Sequence, residues 1–183
     1  MPMALIYVTG PSGSGKDSLL RYARKHLSGH TGVCFIHRYV TRAADAGGEN
    51  HIALSSEEFA SRRQAGLFAL SWASNELHYG VGIEIDYWLA KGLTVVMNGS
   101  REYLPQARAR YPWLVLVEIA ASESVLRKRL LARGRETAEQ VDQRLQRNRE
   151  LSPGAPDAQV IGNEGDLESA GQALVALICR YAG

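Results

Sequence analysis

Short apolar runs alternate with amphipathic stretches along most of the chain. The runs are too short for typical helices and are bounded by glycine or polar residues, so they predict buried strands. They cover residues 4–10, 33–36, 94–97, 113–119 and 158–161. Largely apolar strands that alternate with helices are typical of a parallel sheet covered on both faces. The pattern therefore predicts an α/β fold, a three-layer sandwich around a central parallel sheet.

Apolar residues at helical spacing predict helices between these strands. Ser55 with Glu58, and Thr137 with Gln140, have the spacing of a capping box at a helix start. Gly92 is placed to end another helix. The predicted helices cover residues 18–27, 85–92, 124–134, 138–151 and 167–181, with a further one that begins near Ser55.

Residues 38–80 interrupt the alternation, because they are polar and rich in Gly, Ser and Arg. This stretch predicts a small inserted lid or substrate-binding subdomain. We expect one domain over residues 1–183, with a core formed by residues 1–37 and 82–183 and an insertion at about 38–81.

Composition narrows the choice of partners and location. The net charge of +2 is too small to favour nucleic acid as the main partner. Cys34 and Cys179 stand in apolar surroundings without metal-ligand spacing, so they predict a pair of core thiols in a reducing compartment. No run has membrane-spanning length, so we expect a cytoplasmic protein with no membrane partner. The oligomeric state stays open between monomer and homodimer.

A phosphate-binding loop follows the first predicted strand. Its spacing is Gly10-x-x-x-x-Gly15-Lys16, with a helix after it. Successive backbone N–H groups and the helix N-terminus would bind the phosphates of ATP, and Lys16 would reach the β- and γ-phosphates. The residues expected to bind ATP are Gly10, Pro11, Ser12, Gly13, Ser14, Gly15, Lys16, Asp17 and Ser18.

The residue after the lysine departs from the usual loop pattern. Ser or Thr normally stands there, and its hydroxyl binds Mg²⁺. Here the residue is Asp17, whose carboxylate is a suitable Mg²⁺ ligand, directly or through water. Two alternatives stay open: Asp17 stabilises the helix N-terminus without metal, or Ser18 supplies the hydroxyl. We predict that Asp17 belongs to a magnesium site.

The chain resembles the guanylate kinase family over nearly its full length. The resemblance is carried by "GPSGSGK", "VTR" (40–42), "LSSEEF" (54–59), "LSWA" (70–73), "RLLARGRE" (129–136) and "VIGN" (160–163). It implies a P-loop nucleoside-monophosphate-kinase-like fold with an acceptor-binding insertion and a lid at about 129–150. It also implies transfer of the γ-phosphoryl group of ATP to an acceptor phosphate.

Several positions depart from the guanylate kinase pattern. Ser71 and Val81 stand where that family reads guanine with a Glu and a hydroxyl. Asp45 replaces a phosphate-binding Arg, and His51 replaces a phosphate-binding Tyr. A guanine with unpaired polar groups would bind less well by about 1–3 kcal/mol per group. GMP is therefore not the expected acceptor.

A closer resemblance is to the ribose 1,5-bisphosphate phosphokinase family. It is carried by "GPSGSGKDSLL", "HRYVTR", "ENHIALS", "YGVGIEID", "NGSR" and "LPQARARY". That family has Asp after the P-loop lysine. The resemblance implies that ATP and α-D-ribose 1,5-bisphosphate, a small phosphorylated sugar, give ADP and 5-phospho-α-D-ribose 1-diphosphate.

The residues expected to bind the acceptor are Arg38, Arg42, His51, Tyr79, Asn98 and Arg101. The resemblance implies Arg42 and Tyr79, while Asn98 ends a strand on the side where an α/β sheet binds ligands and could instead be a turn residue. Arg42 keeps the family's acceptor-phosphate position, and a guanidinium suits a phosphate. Arg38 and Arg101 are candidates for the second phosphate, although either could be a surface arginine. Tyr79 and His51 could equally be structural. Glu49, Glu84 and Asp86 are further candidates for ribose hydroxyls or for water on Mg²⁺.

Arginines of the predicted lid would neutralise the charge of the transferring phosphoryl group. With Lys16, we expect Arg133 and Arg144 to be catalytic, while Arg129 and Arg135 stay open. Two rival functions remain at this point. One is a nucleoside monophosphate kinase, and the other is a non-catalytic guanylate-kinase-like module that binds protein partners.

Overall fold

The computed structural model describes residues 4–45, 49–134, 137–151 and 155–182. The strands in these ranges are β1 (Leu5–Thr9), β2 (Val33–Phe35), β3 (Tyr39–Val40), β4 (Ile52–Ala53), β5 (Phe68–Ser74), β6 (Leu77–Gly82), β7 (Thr94–Asn98), β8 (Val115–Ala120) and β9 (Gln159–Gly162). The helices are α1 (Lys16–His26), α2 (Ser56–Gln64), α3 (Glu84–Ala90), α4 (Leu104–Arg110), α5 (Glu123–Ala132), α6 (Ala138–Glu150) and α7 (Leu167–Ala182).

Five parallel strands form the central sheet in the order β2-β7-β1-β8-β9. The middle strand, β1, pairs Val8 with Asn98 of β7 and with Val117 of β8. Both β1 and β7 are buried along their full length, which explains their continuous apolar sequence. Because the strands are parallel, their carboxyl ends meet at one edge, where α/β proteins bind ligands.

Helices cover both faces of this sheet, and two apolar clusters result. On one face, α1 and α7 pack through Leu19, Ala23, Leu174 and Ile178 against alternate β1 residues such as Ile6. On the other face, Ile85 and Leu89 of α3 and Ala107 of α4 pack with Leu5 and Tyr7. The predicted three-layer α/β fold is confirmed. None of the helices in the described ranges has the length and apolar character that crossing a membrane requires.

A second sheet lies within residues 39–82 and was not predicted as a sheet. Its strand order is β4-β3-β6-β5, with β3 and β4 parallel and the other pairs antiparallel. Strands β3 and β4 have two residues each, too few to show an alternating pattern. Two expectations stay predictions: this sheet forms a separate acceptor-binding unit, and residues 129–150 form a lid.

The structure also corrects three local expectations. Cys34 is only partly buried and Cys179 is exposed, so the two thiols do not both lie in the core. Helix α4 was not predicted, because its sequence, LPQARAR, has no apolar periodicity beyond the buried Ala107. At Ser55 half of the capping box forms: its side chain accepts from the N–H of Glu58, while the Glu58 carboxylate pairs with Arg62. The capping box of Thr137 and Gln140 is complete, as predicted.

Candidate active site

The glycines of the phosphate loop are required by close packing at the end of β1. A Cβ on Gly10 would lie 2.6 Å from the carbonyl oxygen of Ile119. Gly15, at φ +84°, is the N-cap of α1, and a Cβ there would lie 2.4 Å from Nδ2 of Asn163. Left-handed backbone with so little space accepts only glycine. The loop backbone therefore packs directly against Ile119 of β8 and against Asn163, which follows β9.

Two side chains contact backbone carbonyl groups of the phosphate loop, those of Gly13 and Ser14. Asn163, 3% exposed, donates from Nδ2 to the carbonyl oxygen of Ser14 over 2.6 Å. Nη1 of Arg129 lies 3.4 Å and 3.3 Å from the carbonyl oxygens of Gly13 and Ser14. Sequence reasoning left Arg129 open and missed Asn163, although "VIGN" contains it. Their contacts are with the loop backbone, so both residues act on its shape.

The nine predicted loop residues and Arg133 line a cavity of about 170 Å³, named here the loop cavity. The first backbone N–H groups of α1 have no partner within the helix and give this end a partial positive charge. Arg133, at the end of α5, brings a full positive charge to the same cavity. The structure thus brings the predicted loop and one predicted lid arginine together around a space suited to an anion.

Lys16, Asp17 and Asn98 form a hydrogen-bonded group at the carboxyl ends of β1 and β7. Nζ of Lys16 donates to Oδ1 of Asn98, and Nδ2 of Asn98 donates to Oδ1 of Asp17 over 2.9 Å. Lys16 Nζ also lies 3.6 Å from Asp17 Oδ1. Burial lowers the pKa of Lys16, and the charge of Asp17 opposes that shift. Asn98 therefore contacts two loop side chains directly, although its predicted partner was the acceptor.

A second space, the central cavity, opens between the loop, the second sheet and α6. Its volume is about 200 Å³. Five cationic side chains line it together with Tyr79 and one acid, Glu102, which pairs with Arg147; the cations are Lys16, Arg38, Arg101, Arg144 and Arg147. Four of these five cations, and Tyr79, were predicted site residues, and Arg147 was missed. So many cations around one small space suit a ligand with several negative charges.

Arg38 is buried between an acid and two aromatic rings. Its Nε donates to Oε1 of Glu49 over 2.5 Å, and its Nη2 donates to Oε2. The guanidinium lies 4.9 Å from the ring centre of Tyr79 and 5.7 Å from that of Trp72. Burial opposes the charge of Arg38, but the hydrogen bonds and charge of Glu49 outweigh it and raise the pKa of this guanidinium.

Arg42 and His51 lie behind this pair, and the described lining of the central cavity includes neither. Nη2 of Arg42 is 3.3 Å from Nδ1 of His51 and 3.9 Å from Oε2 of Glu49. His51, 8% exposed, also has Nε2 within 3.1 Å of the Arg42 carbonyl oxygen. Nε of Arg42 is buried and has no hydrogen-bond partner among the described residues. In this arrangement His51 contacts Arg42, not the cavity.

Helix α6 is joined to the loop after β7 by two side-chain contacts. Nη2 of Arg101 donates to Oδ1 of Asn148 over 2.6 Å, and Nη2 of Arg147 donates to Glu102 over 2.5 Å. Burial lowers the pKa of Arg101. These contacts bring the predicted lid helix against the wall of the central cavity. Arg135 lies outside the described residues.

Two acids that the sequence offered as site candidates have structural partners. Asp86 accepts hydrogen bonds from Arg110 and Tyr111 over 2.7 and 2.6 Å. Glu84 lies 3.5 Å from the hydroxyl of Tyr39. Neither belongs to the lining of the central cavity among the described residues. No group of three or more His, Cys, Asp or Glu side chains that could hold a metal occurs in the described ranges.

Comparisons with known proteins agree with this geometry. The chain is 53% identical over 174 residues to ribose 1,5-bisphosphate phosphokinase PhnN of Thiobacillus denitrificans, covering 95% of this chain and 92% of that protein. It is 52% identical over 175 residues to the protein of the same name from Burkholderia pseudomallei, covering 95% and 94%. A solved guanylate kinase from Anaplasma phagocytophilum has a TM-score of 0.67 at 18% identity, covering 98% of this chain and 86% of that one. No family model matches the chain.

Proposed function

The chain belongs to the ribose 1,5-bisphosphate phosphokinase family, and we propose that it phosphorylates α-D-ribose 1,5-bisphosphate with ATP. The products are ADP and 5-phospho-α-D-ribose 1-diphosphate. The observation that carries the proposal is identity above one half, over nearly the whole chain, to enzymes of that name. The guanylate-kinase-like structural neighbour supports the same class of reaction, phosphoryl transfer on a P-loop fold.

The charge of the central cavity supports a doubly phosphorylated acceptor. The cavity adjoins the loop through Gly10, Ser12 and Lys16, so an acceptor bound there lies next to a nucleotide in the loop cavity. Arg38 and Tyr79 lie on its second-sheet side, and Arg144 and Arg147 on its α6 side. Cations on opposite sides of one cavity suit a small molecule with a phosphate at each end.

At the two second-sheet positions where guanylate kinases read guanine with a Glu and a hydroxyl, this chain has Ser71 and Val81. Val81, on β6, is fully buried and apolar, and Ser71 pairs with Gly80 within the sheet. A sugar phosphate has no base and needs neither group. The charged Arg38 and the aromatic ring of Trp72 line the cavity instead. This composition favours a ribose bisphosphate over a nucleoside monophosphate.

ATP is the proposed phosphoryl donor, held by residues 10–18 with Arg133. Ser14 supports a phosphate ligand in this loop, because its buried Oγ has no hydrogen-bond partner among the described residues. A buried hydroxyl without a partner is unfavourable, and a phosphate oxygen would supply one. Lys16 would neutralise charge that develops on the β–γ bridging oxygen and the transferring group.

Mg²⁺ is the proposed metal, and the residues present fit it. Mg²⁺ prefers oxygen ligands, keeps several waters and needs only one or two carboxylates besides nucleotide phosphates. The Asp17 side chain is 47% exposed at the loop, and Asn98 holds one of its oxygens. When bound, Mg²⁺ neutralises phosphate charge. Asp17, with Asn98 orienting it, is the residue that would hold the ion.

The chemistry needs no covalent enzyme intermediate. An oxygen of the acceptor's C1 phosphate attacks the γ-phosphorus in line, and the bond from the γ-phosphorus to the bridging oxygen breaks as ADP leaves. The enzyme positions two polyanions, screens their repulsion and excludes water. We assign these roles to Lys16, Arg133 and Arg144, with Arg38, Tyr79 and Arg101 at the acceptor and Arg42 behind them, near Glu49.

The test is phosphorus NMR of a reaction that contains the protein, Mg²⁺, ATP and α-D-ribose 1,5-bisphosphate. We expect ADP and a diphosphate at the anomeric carbon to form together. Parallel reactions with GMP and AMP test the rival kinase function. Conversion of GMP without conversion of the pentose would overturn the proposal. Absence of both ATP binding and turnover would favour a protein-binding module.

Cytoplasmic location, the lack of a nucleic-acid partner and the oligomeric state stay predictions.

A further inference from the structure

A wall of paired charges separates the central cavity from a second cavity behind it. This rear cavity, of about 310 Å³, lies between α1, β2 and residues 49–50, and Asp17, Glu49 and Asn98 line it. The cations Lys16 and Arg38 line the central cavity, whereas their acidic partners Asp17 and Glu49 do not. Each ion pair thus turns its positive side toward the proposed acceptor.

Glu49 is the acid that contacts both second-sheet arginines. Its carboxylate is 13% exposed, binds Arg38 through both oxygens and lies 3.9 Å from Nη2 of Arg42. Its carbonyl oxygen accepts from the backbone N–H of His51 over 3.1 Å, which holds the local backbone. One carboxylate between two guanidinium groups leaves a net charge of +1. The group can therefore still attract a phosphate.

We propose that Glu49 is a positioning residue for the acceptor, which acts through Arg38 and Arg42 without touching the substrate. This inference rests on the proposed function. The sequence suggested that Glu49 binds ribose hydroxyls or water on Mg²⁺, but its carboxylate is engaged by arginine on the far side of the wall. The carboxylate that does line the central cavity, Glu102, is paired with Arg147, whereas Glu49 lies behind Arg38 and keeps that guanidinium in place.

Two observations make position, and not charge alone, the role of this residue. Bidentate pairing fixes the plane of a guanidinium. Held in this way, the guanidinium carbon of Arg38 lies over the ring of Tyr79, another predicted phosphate ligand, 4.9 Å from the ring centre. Without Glu49, Arg38 and Arg42 would repel each other, and Arg38 would lose both of its carboxylate hydrogen bonds.

The experiment compares Glu49→Gln with Glu58→Gln, a control on α2 whose carboxylate pairs with Arg62 at the surface. KM for ribose 1,5-bisphosphate, KM for ATP and kcat are measured, with a calorimetric Kd for the pentose. We expect Glu49→Gln to raise the acceptor KM and Kd by about tenfold or more, as for a lost charge-assisted hydrogen bond. The KM for ATP should change by less than about twofold, and Glu58→Gln should match the wild type.

A double-mutant cycle tests whether Glu49 acts through its arginine. In an Arg38→Met background, the effect of Glu49→Gln on the acceptor Kd should shrink markedly. Equal effects in both backgrounds, an unchanged acceptor Kd, or a parallel rise in the KM for ATP would each overturn the inference.

If Glu49→Gln does not fold, Glu49→Asp replaces it, since it keeps the charge one methylene further away. Its acceptor Kd should also rise, and a wild-type value would overturn the inference. Pentose binding by a wild-type protein that shows no turnover would contradict the proposed function alone.

Discussion

Asn98 donates a hydrogen bond from Nδ2 to Oδ1 of Asp17 over 2.9 Å. The carbonyl oxygen of the same amide accepts from Lys16, so its orientation is determined: Lys16 only donates and a carboxylate only accepts. A strand-end residue thus positions both the cation that would bind phosphate and the carboxylate that would bind metal.

The first prediction concerns the metal. Asp17→Ala should raise the Mg²⁺ concentration needed for half-maximal activity by about tenfold, because it removes the carboxylate that would hold the ion. Glu57→Ala, in the first turn of α2, is the matched control for the effect of a helix N-terminal acid. A magnesium titration of the initial rate measures both variants. Unchanged metal dependence with a lower melting temperature would support simple helix stabilisation instead.

The second prediction concerns Lys16. Lys16→Ala should lower kcat by about 100-fold or more, because the phosphate loop loses the cation that we propose neutralises the transferring group. Lys25→Ala, on the exposed side of the same helix, should retain wild-type activity. Steady-state kinetics and circular dichroism are measured together. Full activity in a correctly folded Lys16→Ala protein would remove this residue from the mechanism.

The third prediction concerns the brace between β9 and the phosphate loop. Asn163→Ala should lower the free energy of unfolding by about 1–3 kcal/mol, since the buried carbonyl of Ser14 loses a hydrogen bond. ATP should also bind more weakly, because the loop is held less firmly. Urea denaturation and an ATP titration measure the two effects, with surface variant Gln172→Ala as control. A stable Asn163→Ala protein with normal ATP affinity would contradict the bracing role.

The fourth prediction concerns pH. The hydroxyl of Tyr7 donates to the carbonyl oxygen of Ser100 over 2.9 Å, and the N–H of Ser100 donates back over 3.0 Å. Burial raises the pKa of Tyr7 to about 12 from its ordinary 10.0. Between these values the unfolded chain has lost the proton while the folded chain retains it. The contribution of Tyr7 to stability is therefore complete below pH 10 and is lost as pH rises toward 12.

Tyr7→Phe isolates that contribution. At pH 8 the variant should be less stable by about 1–3 kcal/mol, because both groups of Ser100 lose their partner. The difference from the wild type should shrink as pH rises from 10 to 12, since only the wild type has this proton to lose. Urea midpoints across that range measure it. A difference that stays constant or grows with pH would contradict the argument.

The sequence predicted elements whose signal is local. Strands β1 and β7 are buried along their full length, so their sequences are apolar runs that could be recognised. The phosphate loop was predicted because its glycines and lysine lie close together, within residues 10–16. Helix α4 was missed because only Leu104 and Ala107 hold it against the core, and β3 and β4 were missed because two residues show no period. The failures lie where tertiary contacts override a weak local pattern.

The amino-acid sequence by itself determined the α/β fold, the phosphate loop and the family, because each of these depends on residues that are close together or on their order. Only the tertiary structure decided which side chains share a site. Asn163 reaches Ser14 across 149 positions, and Lys16 reaches Asn98 across 82. It also decided that Arg38 faces the central cavity while Glu49 lies behind it. Such contacts depend on how strands are ordered in a sheet, and local spacing does not record that order.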